Sequence, residues 1–293
     1  MIQEVQAKTI LNPMKNPSSW FGVNYGMNIY RGCPFNCIYC DSRSECYRIE
    51  NFDDILIKIN APELLEKQLI NKRKRGTIGT GAMSDPYNPL EKEYNLTGQC
   101  LEIIAKYKFP LHICTKSNLI LRDIHALEEI NKVYACIAFT LTTVDDELAR
   151  KIEPGASLPS ERLKAMGVLS SLGIKTGVLM MPVLPFIEDN EENISDIVTQ
   201  SAIYGASFII PAFGVTLRDR QRLYYYEKLD LLFPGLRQKY EKRFGQRYSC
   251  GVTRYGKLKE VFTMLCKDKN ISTQMPSYNR EVSDCQMDFF NRI

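Results

Sequence analysis

The sequence predicts an α/β fold with a mostly parallel sheet and crossover helices, and three observations carry that prediction. Short β-like runs alternate with stretches of helical period through most of the chain. Strands separated by helices, rather than by tight turns, pair in parallel with crossover connections. At 293 residues and 44% hydrophobic composition, the chain can bury one large core, alone or with a small appendage. A doubly wound sheet and an open or closed barrel both satisfy this pattern.

Residues 1–23, with Pro13 and Pro17, read as an irregular lead-in. Residues 28–31 read as a strand, and 62–74 as a helix with Pro62 in its first turn. A strand over 77–83 leads to a helix over 97–107, with Leu101, Ile104 and Ala105 on one face. Next come a strand over 111–115, a helix over 123–130 and a strand over 135–142. A helix over 159–172 is ended by Gly173. A strand over 174–181, a helix over 194–204 and a strand over 207–212 follow, and a helix beginning near Arg218 completes the alternation. From about residue 215 basic side chains outnumber acids, among them Arg218, Arg220 and Arg222, and tyrosines are interleaved at 224, 225, 226, 240, 248 and 255. The chain therefore divides into a lead-in over 1–23, a main unit over 24–215 and a C-terminal extension over 216–293.

The net charge of +4 is too small to argue for nucleic acid by itself. No apolar run approaches the ~20 residues that cross a bilayer, and the N-terminus has no basic stretch followed by an apolar one. The expectation is a cytoplasmic protein with no membrane partner. Ten cysteines in a reducing compartment do not form a disulfide framework. Most, including Cys46, Cys114, Cys136, Cys250, Cys266 and Cys285, are scattered, and the ordinary role of such residues is that of a small buried hydrophobe.

Cys33, Cys37 and Cys40 differ because they cluster, in the segment Arg31-Gly32-Cys33-Pro34-Phe35-Asn36-Cys37-Ile38-Tyr39-Cys40-Asp41. Thiolates so close together select zinc or an iron–sulfur cluster. A closed zinc site needs a fourth ligand, and Cys46 is the nearest in sequence; His112 and His125 are far away. A site with three cysteines leaves one iron free to bind a chelating cofactor or substrate.

This C-x3-C-x2-C segment, with Tyr39 before its last cysteine, resembles the signature of radical S-adenosylmethionine (SAM) enzymes. The resemblance implies a [4Fe–4S] cluster on Cys33, Cys37 and Cys40, with SAM chelated at the open iron. Reductive cleavage of SAM there generates a 5′-deoxyadenosyl radical for hydrogen abstraction. An electron donor such as flavodoxin or ferredoxin is implied as a partner. The implied fold is a partial (β/α)6 TIM-like barrel with SAM lying across the C-terminal strand ends. The resemblance covers roughly residues 24–215; the basic, tyrosine-rich C-terminal extension beyond it is expected to cap the opening. Tyr39 matches the aromatic near the adenine; ordinary packing beside the cluster is its alternative role.

Two further segments place the resemblance in the spore photoproduct lyase branch. Gly79-Thr80-Gly81-Ala82-Met83-Ser84-Asp85 ends the second strand, and Cys114-Thr115-Lys116 ends the third. Ser84 and Asp85 match positions that hold the methionine amino group, with a side-chain-bonded turn as the alternative. Glycines there let a ligand approach the backbone. Lys116 matches a partner for the SAM carboxylate; a solvated lysine is the alternative. Glu153-Pro154-Gly155-Ala156 and Ser160-Glu161-Arg162 also resemble this branch. Two positions depart from it. Ala82 stands where the true lyase has a hydrogen-donating cysteine, and Asp41 stands where it has a tyrosine. Cys114 or Cys136 could donate instead, or serve only in packing. The substrate is then a nucleic acid contacted by the basic, tyrosine-bearing extension, or a peptide, protein or small metabolite. A zinc-binding module without turnover is the reading outside enzymes.

Overall fold

A computed structural model describes residues 1–17 and 20–279. Two short strands, β1 (Ile2–Val5) and β2 (Leu11–Pro13), precede β3 (Val23–Met27), β4 (Tyr30–Arg31) and β5 (Ile55–Lys58). The α/β part continues through α1 (Ala61–Ile70), β6 (Thr77–Thr80), α2 (Glu91–Tyr94), α3 (Leu96–Lys106), β7 (Leu111–Thr115), α4 (Ile124–Asn131) and β8 (Ala135–Thr140). Next are α5 (Asp146–Ile152), α6 (Pro159–Ser171), β9 (Lys175–Met180), α7 (Glu191–Ile203), β10 (Phe208–Pro211) and β11 (Gly214–Thr216). The extension contains α8 (Asp219–Leu232), α9 (Leu236–Phe244), β12 (Ser249–Gly251) and α10 (Tyr255–Asp268).

One sheet dominates, in the spatial order β10-β9-β8-β7-β6-β3-β2. Strands β3, β6, β7, β8, β9 and β10 run parallel, and β2 is antiparallel to β3. The two edges are not paired with each other. This is an open, partial (β/α) barrel. Every residue of β6, β7 and β8 is buried, as parallel strands covered on both faces require. Leu111, Ile113, Ile137, Phe139 and Val178 share the larger core with the helices. Cys114, Cys136, Ala138, Leu179 and Phe208 form a separate cluster with Phe21 and Val23. The free edge of β10 is shielded near its start, where Ser272 forms a parallel bridge with Phe208 and Ile209 N–H donates to the Ser272 carbonyl at 2.9 Å.

The lead-in, read as irregular, contributes β1 to a side sheet with β5 and β4, and β2 to the main sheet. The strand expected over 28–31 is also displaced. The barrel strand is β3, and Tyr30–Arg31 pairs instead with β5. Asn24 and Gly26 weaken the β signal of the true strand, yet Asn24 earns its place by accepting the Thr77 N–H at 2.8 Å through its side chain. In the extension, α8 and α9 join the cluster-loop core. The buried Leu258, Phe262 and Cys266 of α10 join the core on the helix side of the sheet, and α10 packs along α7 rather than over the strand ends.

Candidate active site

The cysteine segment forms a tight loop. Cys40 N–H donates to the Cys37 carbonyl at 3.2 Å, and Arg43 N–H to the Cys40 carbonyl at 3.3 Å. Cys33 and Cys37 are buried with Phe35, Ile38 and Tyr39, and Cys40 packs against them. The nearby backbone N–H groups of Asp85 and Phe35 favour the ionised form of Cys33, and that of Ser42 favours the ionised form of Cys40. Burial pushes all three thiols up, Cys33 to about 11. The positive charge of Lys116 opposes this at Cys37 and Cys40, joined by Arg43 at Cys40. A buried thiol ionises fully only beside strong positive charge, which a metal group supplies. Soft donors, an apolar wall and a nearby cationic Lys116 fit an iron–sulfur group. Among the described residues no three His, Cys, Asp or Glu side chains gather to hold a metal ion.

The ends of β6 and β7 meet this loop. Ser84 Oγ donates to the Gly32 carbonyl at 2.6 Å. Asp85 accepts from Tyr87 N–H at 2.9 Å and Thr115 Oγ1 at 2.8 Å on one oxygen, and from Lys116 N–H at 2.7 Å on the other. Both side chains thus brace the turn. The Lys116 side chain is half-buried, with its ammonium 5.8 Å from the Tyr39 ring centroid. Burial works against its charge, but Cys37 and Glu153 raise its pKa overall. Cys33, Cys37, Cys40, Tyr39, Ser84, Asp85 and Lys116 are therefore one connected group. The glycines have a steric role here. A Cβ on Gly79 would come within 2.7 Å of the Val23 side chain, and one on Gly81, at φ +97°, within 1.8 Å of the Cys114 carbonyl. They are small because strands crowd them.

Behind Tyr39 lies a polar group for which the sequence offers no pairing signal. Arg162 and Glu153 form an ion pair, and Tyr39 OH donates to Glu153. Arg162 also donates to the Ser157 carbonyl at 2.7 Å and the Thr140 carbonyl at 2.9 Å. Burial would raise the Glu153 pKa, but Arg162, Lys116 and Tyr39 hold it below the ordinary carboxylate value. Glu188, also buried, accepts Leu184 N–H at 2.8 Å, and burial pushes its carboxyl well up. The segment 153–156 is pressed onto the cysteine loop. Gly155 N–H donates to the Phe35 carbonyl at 3.0 Å, and a Cβ there would lie 2.6 Å from the Pro34 carbonyl.

The departing positions have their own partners. Ala82 is exposed at the barrel mouth. Asp41 accepts from Tyr47 OH and from Arg218, both at 2.7 Å, tying the loop to the extension. Cys114 and Cys136 are buried on the strands, with Cys114 Sγ 3.9 Å from His112 Nδ1. Cys250 and Cys266 are buried, Cys46 is exposed, and Cys285 lies outside the described residues. Much of the basic, tyrosine-bearing stretch is consumed internally. Tyr225, Tyr226 and Tyr240 are buried in the core that holds Cys33 and Cys37. Arg222 donates to the carbonyls of Leu217, Gly245 and Arg247, and Arg220 to those of Arg43, Ile49 and Glu50. Among the described residues no helix is long and apolar enough to cross a membrane.

An uncharacterized protein of Mycobacterium tuberculosis (strain ATCC 25618 / H37Rv) is 30% identical over 249 residues, covering 82% of this chain and 73% of the relative. An uncharacterized protein of Methanocaldococcus jannaschii is 32% identical over 198 residues, covering 67% of this chain and 72% of the relative. The structure of spore photoproduct lyase complexed with dinucleoside spore photoproduct superposes with a TM-score of 0.67 at 15% identity, covering 91% of this chain and 79% of the lyase; that likeness shows the shared fold. The model of the radical SAM superfamily matches residues 27–198, a span that contains the three-cysteine loop and the ends of β6 and β7. This chain therefore belongs to the radical SAM superfamily, membership of which implies a [4Fe–4S] cluster and SAM.

Proposed function

We propose that this protein cleaves SAM reductively at a [4Fe–4S] cluster held by Cys33, Cys37 and Cys40. When bound, the cluster and SAM together supply a one-electron cleavage that yields methionine and a 5′-deoxyadenosyl radical for hydrogen abstraction. The observation that carries the reading is the connected group at the strand ends, in which three thiols share an apolar pocket beside a cationic Lys116. Lys116 pairs with the carboxylate of SAM as a point charge. Ser84 and Asp85 face its amino group from the braced turn. Tyr39, its hydroxyl fixed by Glu153, packs near the adenine. The apolar wall of Phe35, Ile38 and Tyr225 excludes water and oxygen. None of the nine described cysteines is in a disulfide. The test is anaerobic reconstitution followed by iron, sulfide and 5′-deoxyadenosine analysis. Zinc without iron or sulfide would instead identify a binding module.

We propose a nucleic acid as the substrate class, in a lyase-type or modification reaction. Support comes from the shared fold with a lyase complexed with a dinucleoside photoproduct and from exposed Tyr248, Tyr255 and Lys259 in the extension. A second reading, a peptide, protein or small metabolite, is favoured by the burial of Tyr225, Tyr226 and Tyr240, which leaves fewer rings for base stacking. Ultraviolet-irradiated DNA should stimulate 5′-deoxyadenosine formation under the first reading. Stimulation only by the protein or small-molecule fraction of a cell extract selects the second.

A further inference from the structure

The side sheet β1-β5-β4 carries two cations that no acid among the described residues neutralises. Alternation along β5 sends Ile55 and Ile57 into the core and leaves Leu56 and Lys58 on the other face. Arg31 of β4 stands opposite Leu56 in the antiparallel register. It therefore shares a face with Lys58 as a diagonal neighbour, within reach of long side chains. Lys58 is half-buried, and burial together with the positive charge of Arg31 lowers its pKa. Its ammonium donates to the Asn28 carbonyl at 2.6 Å. Arg31 donates to the carbonyls of Arg48 and, at 3.4 Å, Tyr47. All three acceptors are uncharged. The nearby acids are engaged elsewhere, Asp54 with the Met1 amino group at 2.6 Å and Asp41 with Arg218 at 2.7 Å.

Arg31 and Lys58 line one cavity of about 170 Å³, with Gly32, Met83 and Tyr47 among its other walls. Gly32 precedes Cys33, and its carbonyl accepts the hydroxyl of Ser84, the residue after Met83. The cavity thus adjoins the barrel mouth through the backbone that carries the first cysteine and the braced turn. A second cavity of about 320 Å³ shares Arg31 with it and adds Arg48 and Glu50, so the lining continues away from the mouth. Two like charges side by side repel, and an anion between them removes that cost. A tetrahedral phosphate suits the pair, since Arg offers a planar fork and Lys a point charge. Tyr47, its hydroxyl held by Asp41 at 2.7 Å, adds a ring beside the cations. A base and its own phosphate would meet ring and cations together.

We propose that Arg31 and Lys58 form a subsite for a phosphate group of the substrate, supplied by the backbone of a nucleic-acid strand whose base is presented at the barrel mouth. The assignment rests on the nucleic-acid reading above and adds the contact that would hold such a strand in register. A phosphorylated small metabolite is the other source of the same chemistry. The subsite positions and does not react: no bond is made or broken there.

The test uses the full chain, anaerobically reconstituted, and the variants K58Q, R31Q and R31K, each checked for iron content and thermal midpoint. Lys58 lies off the cysteine loop, so K58Q keeps the test open if R31Q loses iron. Fluorescence anisotropy follows a labelled single-stranded oligodeoxynucleotide over a salt series, and calorimetry follows thymidine 5′-monophosphate. The expected result is oligonucleotide binding weakened at least fivefold by K58Q and by R31Q, alike for several base sequences. The slope of log affinity against log salt should shrink by about 0.7, the loss of one single-strand phosphate contact. R31K, which keeps the charge, should stay within threefold of the parent. Oligonucleotide binding that K58Q leaves unchanged overturns the subsite while the nucleic-acid reading stands. If the parent ignores the oligonucleotide but binds the mononucleotide, and K58Q abolishes that binding, the subsite holds, its source is a small phosphorylated substrate and the nucleic-acid reading falls. Binding of neither probe overturns the subsite.

Discussion

Glu153 and Arg162 form an ion pair at 2.5 Å with 1% of each side chain exposed. Removing one partner strands the other charge in the core, at a cost of roughly 3–5 kcal/mol. Arg162→Met should therefore lower the free energy of unfolding by about that amount in urea titrations. The double variant Glu153→Gln/Arg162→Met should recover much of the loss, because no lone charge remains. A single variant costing less than about 1 kcal/mol would reject a structural ion pair.

Asp85 and Lys116 separate backbone from side-chain effects. Lys116→Ala keeps the bond from Lys116 N–H to Asp85 but removes the ammonium. SAM affinity measured by equilibrium binding is expected to fall at least tenfold while iron content stays constant. Asp85→Ala instead leaves three donors without their acceptor and should cost roughly 1–3 kcal/mol of stability for each that stays buried and unpaired. Unchanged SAM affinity in Lys116→Ala would reject its pairing with the carboxylate.

Gly81→Ala tests the reason for the glycine. Its new methyl group would sit 1.8 Å from the Cys114 carbonyl oxygen, and the contact is with backbone. Loss of soluble folded protein, or a drop in thermal midpoint of more than about 10 °C, is expected in the absence of any cofactor. Normal stability with impaired SAM binding would return the glycine to a ligand-approach role.

Replacing Cys33, Cys37 or Cys40 by alanine should abolish iron and sulfide incorporation and 5′-deoxyadenosine formation, while far-ultraviolet circular dichroism stays near the parent signal. Retained cleavage by any one of these variants would remove that cysteine from the ligand set.

His112 gives the stability a pH dependence of known sign. Burial lowers its pKa from 6.5 to about 3, and its ring stacks on Phe21 with centroids 3.9 Å apart. The folded state keeps the ring neutral where the unfolded chain takes up a proton. Its contribution is therefore complete above pH 6.5 and is lost progressively as pH falls toward 3. Urea midpoints measured from pH 7 to 4 should fall less steeply in His112→Phe than in the parent. Parallel profiles would show that His112 titrates normally.

The legible parts of the site are those written locally. The cysteine loop is contained within eleven residues, 31–41, and strand–helix alternation alone puts Ser84, Asp85 and Lys116 at strand ends. The Glu153–Arg162 pair lies in a different category. It joins a loop to the buried side of α6, and no period or spacing marks two residues that meet only after the barrel closes. The barrel strand β3 is hidden by Asn24 and Gly26, which carry little β propensity; Asn24 serves instead through its side-chain bond to Thr77 N–H. In α8 the apolar residues mislead. Leu223 is 61% exposed whereas Tyr225 is fully buried, so a tyrosine-rich run that suggests a stacking surface is mostly interior. Gly79 in β6 and Gly81 just after it are marked in the sequence, but neighbouring strands supply their explanation.

The shared core of the cysteine loop and helices α8 and α9 makes these two helices inseparable from that loop. Truncation after residue 215 would strip Tyr225 and Tyr240 from Phe35 and Ile38, opening the thiols to solvent and air. Helices α8 and α9 are thus a fixed wall of the cysteine-loop core, which cannot be exchanged without exposing those thiols.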